Sequence, residues 1–234
     1  MKTNRVVLFL VMVFAGLLNA ADLRPIFRTP CVVRAERVNY LIKSAGVVVG
    51  EASIETSLLP DGKYFIKNKI SMPNVTEVSE VIVSSDAFKP LHMNRSSTLE
   101  SGDLTIKADY SDRQVKLYAT SADGKQEMPL RIPLDTFDND EVLTAFRFMD
   151  FEKHTKFSFN ILANTVGRVY PSDLTVVGKE TVVVPAGKYL STKLRLDVSG
   201  ASQFFWCSQA SFPYIVKYDN GTTSFELVSV VPTR

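Results

Sequence analysis

Residues 104–119 read LTIKADYSDRQVKLYA. Leu104, Ile106, Ala108 and Tyr110 alternate with Thr105, Lys107 and Asp109; Ser111, Asp112 and Arg113 then supply a turn, and Val115, Leu117 and Ala119 resume the alternation. Period-two alternation places one set of side chains on each face of an extended strand, so this stretch predicts an antiparallel hairpin with one buried face. The same rhythm recurs on both sides of it. Val48, Ala52, Ile54 and Leu58 alternate with Glu51, Ser53, Glu55 and Ser57, Pro60-Asp61-Gly62 turns the chain, and Tyr64, Ile66 and Ile70 return opposite Lys63, Lys67 and Lys69. Phe157, Phe159 and Ile161 make a further strand, and so do Leu190, Thr192, Leu194, Leu196 and Val198. Asp219-Asn220-Gly221 predicts a type I′ hairpin turn into a last strand over residues 222–231.

One segment departs from this pattern. Asp138 and Glu141 stand at capping-box spacing, and Phe137 and Val142 occupy the positions of a hydrophobic staple. Val142, Phe146 and Met149 then recur at i, i+4 and i+7. This predicts one helix near residues 139–149, apolar toward the sheet, with Glu141 and Arg147 on its wetter side. Many strands joined by short turns around a single helix imply a mainly β fold. The expected architecture is an antiparallel curved sheet forming an open or partly closed barrel, the helix covering its concave side. A closed up-and-down barrel is the second choice.

The start of the chain carries Lys2 and Arg5, an apolar run from Val6 to Leu18, then Asn19, Ala20 and Ala21. That order predicts a secretory signal peptide over residues 1–20, with an uncleaved anchor as the alternative. The apolar run is shorter than the ~20 residues a spanning helix needs, so no stable membrane span is expected once the signal is removed. That order points to an exported protein. Residues 21–36, with Arg24, Pro25, Arg28, Pro30 and Arg34, read as an irregular N-terminal arm, and residues 37–234 as a single antiparallel β domain. The whole chain has 27 basic and 25 acidic residues; both of the basic excess, Lys2 and Arg5, belong to the signal. Without a basic footprint, no nucleic acid is expected as a partner. Cys31 and Cys207 are the only cysteines, and in an oxidising compartment they are a candidate disulfide; two separate buried thiols are the alternative.

Catalytic chemistry leaves no local trace. His92 and His154 are the only histidines and stand in no metal-binding frame, so no metal and no cofactor is expected. No G-x-S-x-G elbow or phosphate-cradling glycine loop occurs. Asn74, Asn94 and Asn220 head glycosylation triplets, and Asn220 has a sufficient role in its turn. The densest aromatic stretch holds Phe204, Phe205, Trp206, Phe212 and Tyr214. Core packing is its ordinary explanation, and an apolar ligand groove is the functional one. On the second reading the groove residues are Phe146, Phe204, Trp206 and Tyr214.

The segment Leu143–Phe148, LTAFRF, resembles the helix of a family of exported bacterial β proteins classed as a domain of unknown function. Val177–Tyr189, VGKETVVVPAGKY, is similar to that family's valine-rich strand and Pro-Ala-Gly turn, and Trp206, Ser208 and Pro213 resemble its closing signature. Tyr40, Gly46, Gly50 and Pro90 carry a weaker likeness, which spans residues 37–231 in all. The resemblance implies a half-barrel similar to that of the Lol-type lipoprotein carriers and an exported location, and since the family's own activity is unassigned it carries over no catalytic residue. Cys207 between Trp206 and Ser208 departs from the family pattern. The function expected is a non-enzymatic periplasmic binding or envelope-maintenance protein, with a lipid, another apolar ligand or an envelope protein as partner. A structural protein with a filled core, or a hydrolase with a non-contiguous site, are the alternatives.

Overall fold

The computed structural model describes residues 26–28 and 33–233; the expected signal peptide and Cys31 lie outside them. Eight strands come first: β1 (Glu36–Ser44), β2 (Val47–Leu58), β3 (Tyr64–Met72), β4 (Val75–Val83), β5 (Pro90–Leu99), β6 (Gly102–Ser111), β7 (Gln114–Ser121) and β8 (Gly124–Arg131). Short β9 (Thr136–Asp138) leads into α1 (Val142–Phe148). Then follow β10 (Lys156–Ala163), β11 (Arg168–Val184), β12 (Gly187–Val198), β13 (Ala201–Ser208), β14 (Ile215–Asp219) and β15 (Thr223–Pro232).

All fifteen strands form one curved, unclosed sheet in the order β8-β7-β6-β5-β4-β3-β2-β1-β15-β14-β13-β12-β11-β10-β9. Every pair is antiparallel except β9 with β10. First and last strands meet in the middle, where β1 pairs β15 from Glu36↔Pro232 to Ser44↔Thr223. Bulges at Asn39/Tyr40, Ile42/Lys43 and Val176/Gly178 bend their strands, which is how a wide sheet acquires curvature.

The alternation read from the sequence sets which face is inside. Ile106, Ala108, Val115 and Leu117 are buried, and their neighbours Lys107, Asp109 and Lys116 are exposed. The Asn220 turn differs in detail from the expected type I′. Only Gly221 takes a positive φ (89°), while the Asn220 side chain accepts hydrogen bonds from the Thr222 and Thr223 amides (3.1 and 2.8 Å). Left-handed pairs instead occupy Ala45-Gly46, between β1 and β2, and Ser199-Gly200, between β12 and β13.

The helix is shorter than expected, seven residues rather than eleven, because the capping group is a turn of its own. Glu141 Oε1 accepts the Asp138 amide (2.9 Å), and Asp138 Oδ1 accepts the Asp140 amide (2.8 Å), so the chain enters α1 only at Val142. The expected wetter side is a correction. Glu141 and Arg147 are both buried, since α1 is covered by the sheet on one side and by the N-terminal arm and the β13–β14 loop on the other. Arg147 forms an ion pair with Glu36 of β1 and donates from Nε to the Pro213 carbonyl (2.8 Å); Tyr214 Oη also donates to Glu36 (3.3 Å). Burying Arg147 is tolerated only because its charge is paired and its donors are used.

The arm closes the far end of the helix. Phe27 bridges Met149, the Arg28 amide bonds the Phe148 carbonyl (2.9 Å) and the Asp150 amide bonds the Ile26 carbonyl (2.8 Å). Between sheet and helix, Phe146 meets Phe159 and Phe205 at 5.9 and 5.3 Å, Phe205 meets Tyr218 at 5.0 Å, and Phe88 stacks on Phe148 at 5.3 Å. Each such ring removes enough apolar surface from water to contribute about 2–3 kcal/mol.

Candidate functional site

Strands whose inward row is apolar over its whole length would fill the concavity completely. On β3, β4 and β5 that row changes character. β5 presents Met93, then Arg95 and Ser97; β4 presents Val81, then Ser79 and Glu77; β3 presents Ile66, then Asn68. The segment from β9 to α1 crosses this polar end of the concave face. Beside the crossing lies a cavity of about 150 Å³ between the sheet and α1.

Its walls are largely apolar: Ile54 and Ile70 from β2 and β3, Leu143 from α1, Tyr218 and Phe225 from β14 and β15. Its polar end is built from Asn68, Glu77, Arg95 and Asp140. Arg95 Nε and Nη2 grip Asp140 Oδ2 and Oδ1 (3.2 and 2.5 Å), and Nη2 also contacts Glu77 Oε1 (3.0 Å). Ser97 donates to Glu77 Oε2 (3.2 Å), and Asn68 donates to the Asp140 carbonyl (2.7 Å). One guanidinium thus serves two carboxylates.

Two more carboxylates stand directly behind. Asp138 accepts from Tyr110 of β6 and from Asn164 Nδ2 (2.9 Å), and Asn164 Nδ2 also reaches Asp140 (3.2 Å). Burial pushes the Asp138 carboxyl up to about 7; the Asp140 charge adds to the rise, while Tyr110 and Arg95 oppose it. Glu141 is pushed well above the usual carboxylate range by burial first and by the Asp138 charge second. Among the described residues its Oε2 has no hydrogen-bond partner, nor have Thr144 Oγ1 and Asn164 Oδ1. Tyr110 is raised by burial and by the same Asp138 charge. Among the described residues no His, Cys, Asp or Glu side chains converge in a group able to hold a metal ion. This cluster is held together by hydrogen bonds and one cation.

The residues expected to line a groove lie elsewhere. Phe146 is fully buried between Phe159 and Phe205. Tyr214 lies under the Arg147 guanidinium at 5.0 Å. Phe204 and Trp206 are on the side of β13 away from Phe205, with the Trp206 ring flanked by the Lys193 and Lys217 ammonium groups at 5.1 and 5.2 Å and its Nε1–H donating to Glu180. None of the four lines the cavity. The next aromatics along the chain, Tyr218 and Phe225, do.

Cys207 is buried, and burial pushes its thiol up to about 12. Its expected partner, Cys31, falls outside the described residues. His92 pairs with Asp109 on an exposed surface (2.9 Å), and His154 packs edge-on to Phe157. A wider groove of about 780 Å³ runs over the strands β1–β3, but it is lined by Arg37, Glu51, Glu55 and Lys67, several of them already ion-paired. Among the described residues no helix is long and apolar enough to cross a membrane.

No curated protein matches the sequence. The fold is similar to a crystal structure described as a beta-barrel-like protein of domain of unknown function DUF1849 from Brucella abortus: TM-score 0.57, 11% sequence identity, covering 86% of this chain and 99% of that one. Identity that low carries the fold alone. The model of the family described as "protein of unknown function (DUF3108)" matches residues 39–228, most of the chain, and the chain belongs to that family.

Proposed function

We propose that this is an exported, periplasmic, non-enzymatic binding protein that holds a short acyl chain, or another apolar group of a lipid or envelope partner, in the cavity between its concave sheet and α1. The carrying observation is that cavity: apolar walls from five elements and a small set of convergent polar groups at one end, the composition of a ligand site. At about 150 Å³ it matches the size of an engineered apolar cavity that admits benzene, so it takes a short chain or a chain end. The charged, apolar and small-residue order of residues 1–21 supports export. The resemblance to half-barrel lipoprotein carriers supports an apolar ligand. A non-enzymatic role is supported by the buried acids, which are tied to Tyr110, Asn164 and the Asp138 and Asp140 amides.

Native mass spectrometry of protein taken from its host's envelope fraction, together with titration of an environment-sensitive naphthalene dye, tests the reading. Bound lipid, or saturable dye binding at micromolar concentration, is the expected result. Absence of both overturns the binding role. Recovery of a chain still carrying residues 1–20 from cytosol overturns export.

A further inference from the structure

The polar end of the cavity has a sign. Among the lining residues Glu77 and Asp140 share one buried cation, Arg95; Lys69, which also lines the cavity, is exposed to solvent. Hydrogen-bond capacity is skewed the same way. The Arg95 Nε and Nη2 donors are taken by carboxylates, and Asn68 Nδ2 is spent on Ser79 Oγ (3.0 Å) and the Asp140 carbonyl. A ligand reaching this end therefore meets two carboxylates that share a single buried guanidinium.

From this we infer that the ligand's polar end is a hydrogen-bond donor without negative charge, an alkylammonium or a neutral alcohol or amide, and that free carboxylates are excluded. The inference rests on the binding role proposed above and narrows it. A carboxylate would stand beside Glu77 and Asp140 in a partly desolvated site, where like charges repel far more than in water, and would compete with both for Arg95. An ammonium gains the attraction of the same pair. An acyl chain enters as a neutral ester or amide.

Hexylamine, hexan-1-ol and hexanoate carry the same six-carbon tail and differ in the head. Titrated at neutral pH and followed by methyl shifts of Ile54 and Ile70, hexylamine and hexan-1-ol are expected to bind, with hexanoate weaker by about tenfold or more. Glu77→Gln keeps an acceptor for Ser97 and Arg95 while removing one charge. It should weaken hexylamine several-fold, and by more than it weakens hexan-1-ol, with an unchanged circular dichroism spectrum. Hexanoate binding as tightly as hexan-1-ol, or a Glu77→Gln protein that holds hexylamine as before, overturns the inference and leaves the binding role standing. Failure of all three tails to shift Ile54 or Ile70 removes the ligand cavity itself.

Discussion

Tyr110 of β6 donates its hydroxyl hydrogen bond to Asp138 of β9, joining two strands that stand far apart in the order of the sheet. Together with Arg95–Asp140, this contact fastens the segment entering α1 to the half of the sheet that precedes it in sequence. The open sheet is thus held in its curved form by polar groups as well as by the aromatic core.

The protonation state of Asp138 then sets a pH dependence of unusual sign. Its carboxyl is raised in the folded state to about 7, above the ordinary value of 3.8, so between these values the folded chain holds a proton that the unfolded chain has lost. Stability is therefore full below pH 4 as far as this group is concerned and declines as pH rises toward 7, by up to about 1.4 kcal/mol per pH unit. Glu141, raised by burial, acts in the same direction. Urea unfolding at pH 5 and pH 8 should show the protein more stable at the lower pH, and Asp138→Asn should flatten the slope. An equal or greater stability at pH 8 would contradict the burial of these acids.

The Glu36–Arg147 pair makes a second prediction. Both side chains are about 5% exposed or less, so Arg147→Ala leaves a buried carboxylate whose remaining donor among the described residues is Tyr214. The expected loss is about 3–5 kcal/mol in chemical denaturation. Replacing both residues, Glu36→Gln with Arg147→Met, should recover much of it, because no uncompensated charge remains. Additive losses in the double variant would mean that the two side chains do not interact.

Much of this architecture is legible in the sequence, and the illegible part has one cause. The hairpin over residues 104–119 and the turns at residues 60–62 and 219–221 are local, set by alternation and turn chemistry within a few positions. The pattern locates the helix but overstates its length, because the Asp138–Glu141 capping signal does not reveal that Asp138 also accepts from Tyr110 and Asn164 and holds residues 138–141 in a turn. The cavity is illegible for the same kind of reason. Asn68 and Arg95 are polar residues on rows that begin with apolar members, and only the register across β3, β4 and β5 shows them converging with Glu77 inside. Arg95 did leave a faint signal, since it follows Met93 on the row that alternation assigns to the interior. The aromatic density around Phe204 and Trp206 does not coincide with the cavity, because neighbouring residues of one strand face opposite sides.

Cys207 should be chemically silent in the folded protein. A thiol that is 1% exposed and pushed up to about 12 has almost no thiolate at pH 8, and the thiolate is the reacting species. Iodoacetamide at that pH is expected to leave Cys207 unmodified until denaturant and reductant are added, as read by peptide mass spectrometry. Rapid modification under native conditions would place the β13–β14 region in frequent local opening. The same count in denaturant without reductant reads whether Cys31 and Cys207 are joined.

Filling the cavity separates binding from folding. Ala52 of β2 lies on its wall beside Ile54, and an added side chain there would enter existing space. Enlarging a residue in a filled core forces side chains off their rotamers and costs about 1–3 kcal/mol, but an empty volume of about 150 Å³ absorbs a Leu without that penalty. Ala52→Leu is therefore expected to abolish saturable dye binding while leaving the urea midpoint unchanged or higher. The opposite pattern, lost stability with binding intact, would show that the space beside Ala52 is already occupied by packed side chains and that the dye sits elsewhere on the sheet.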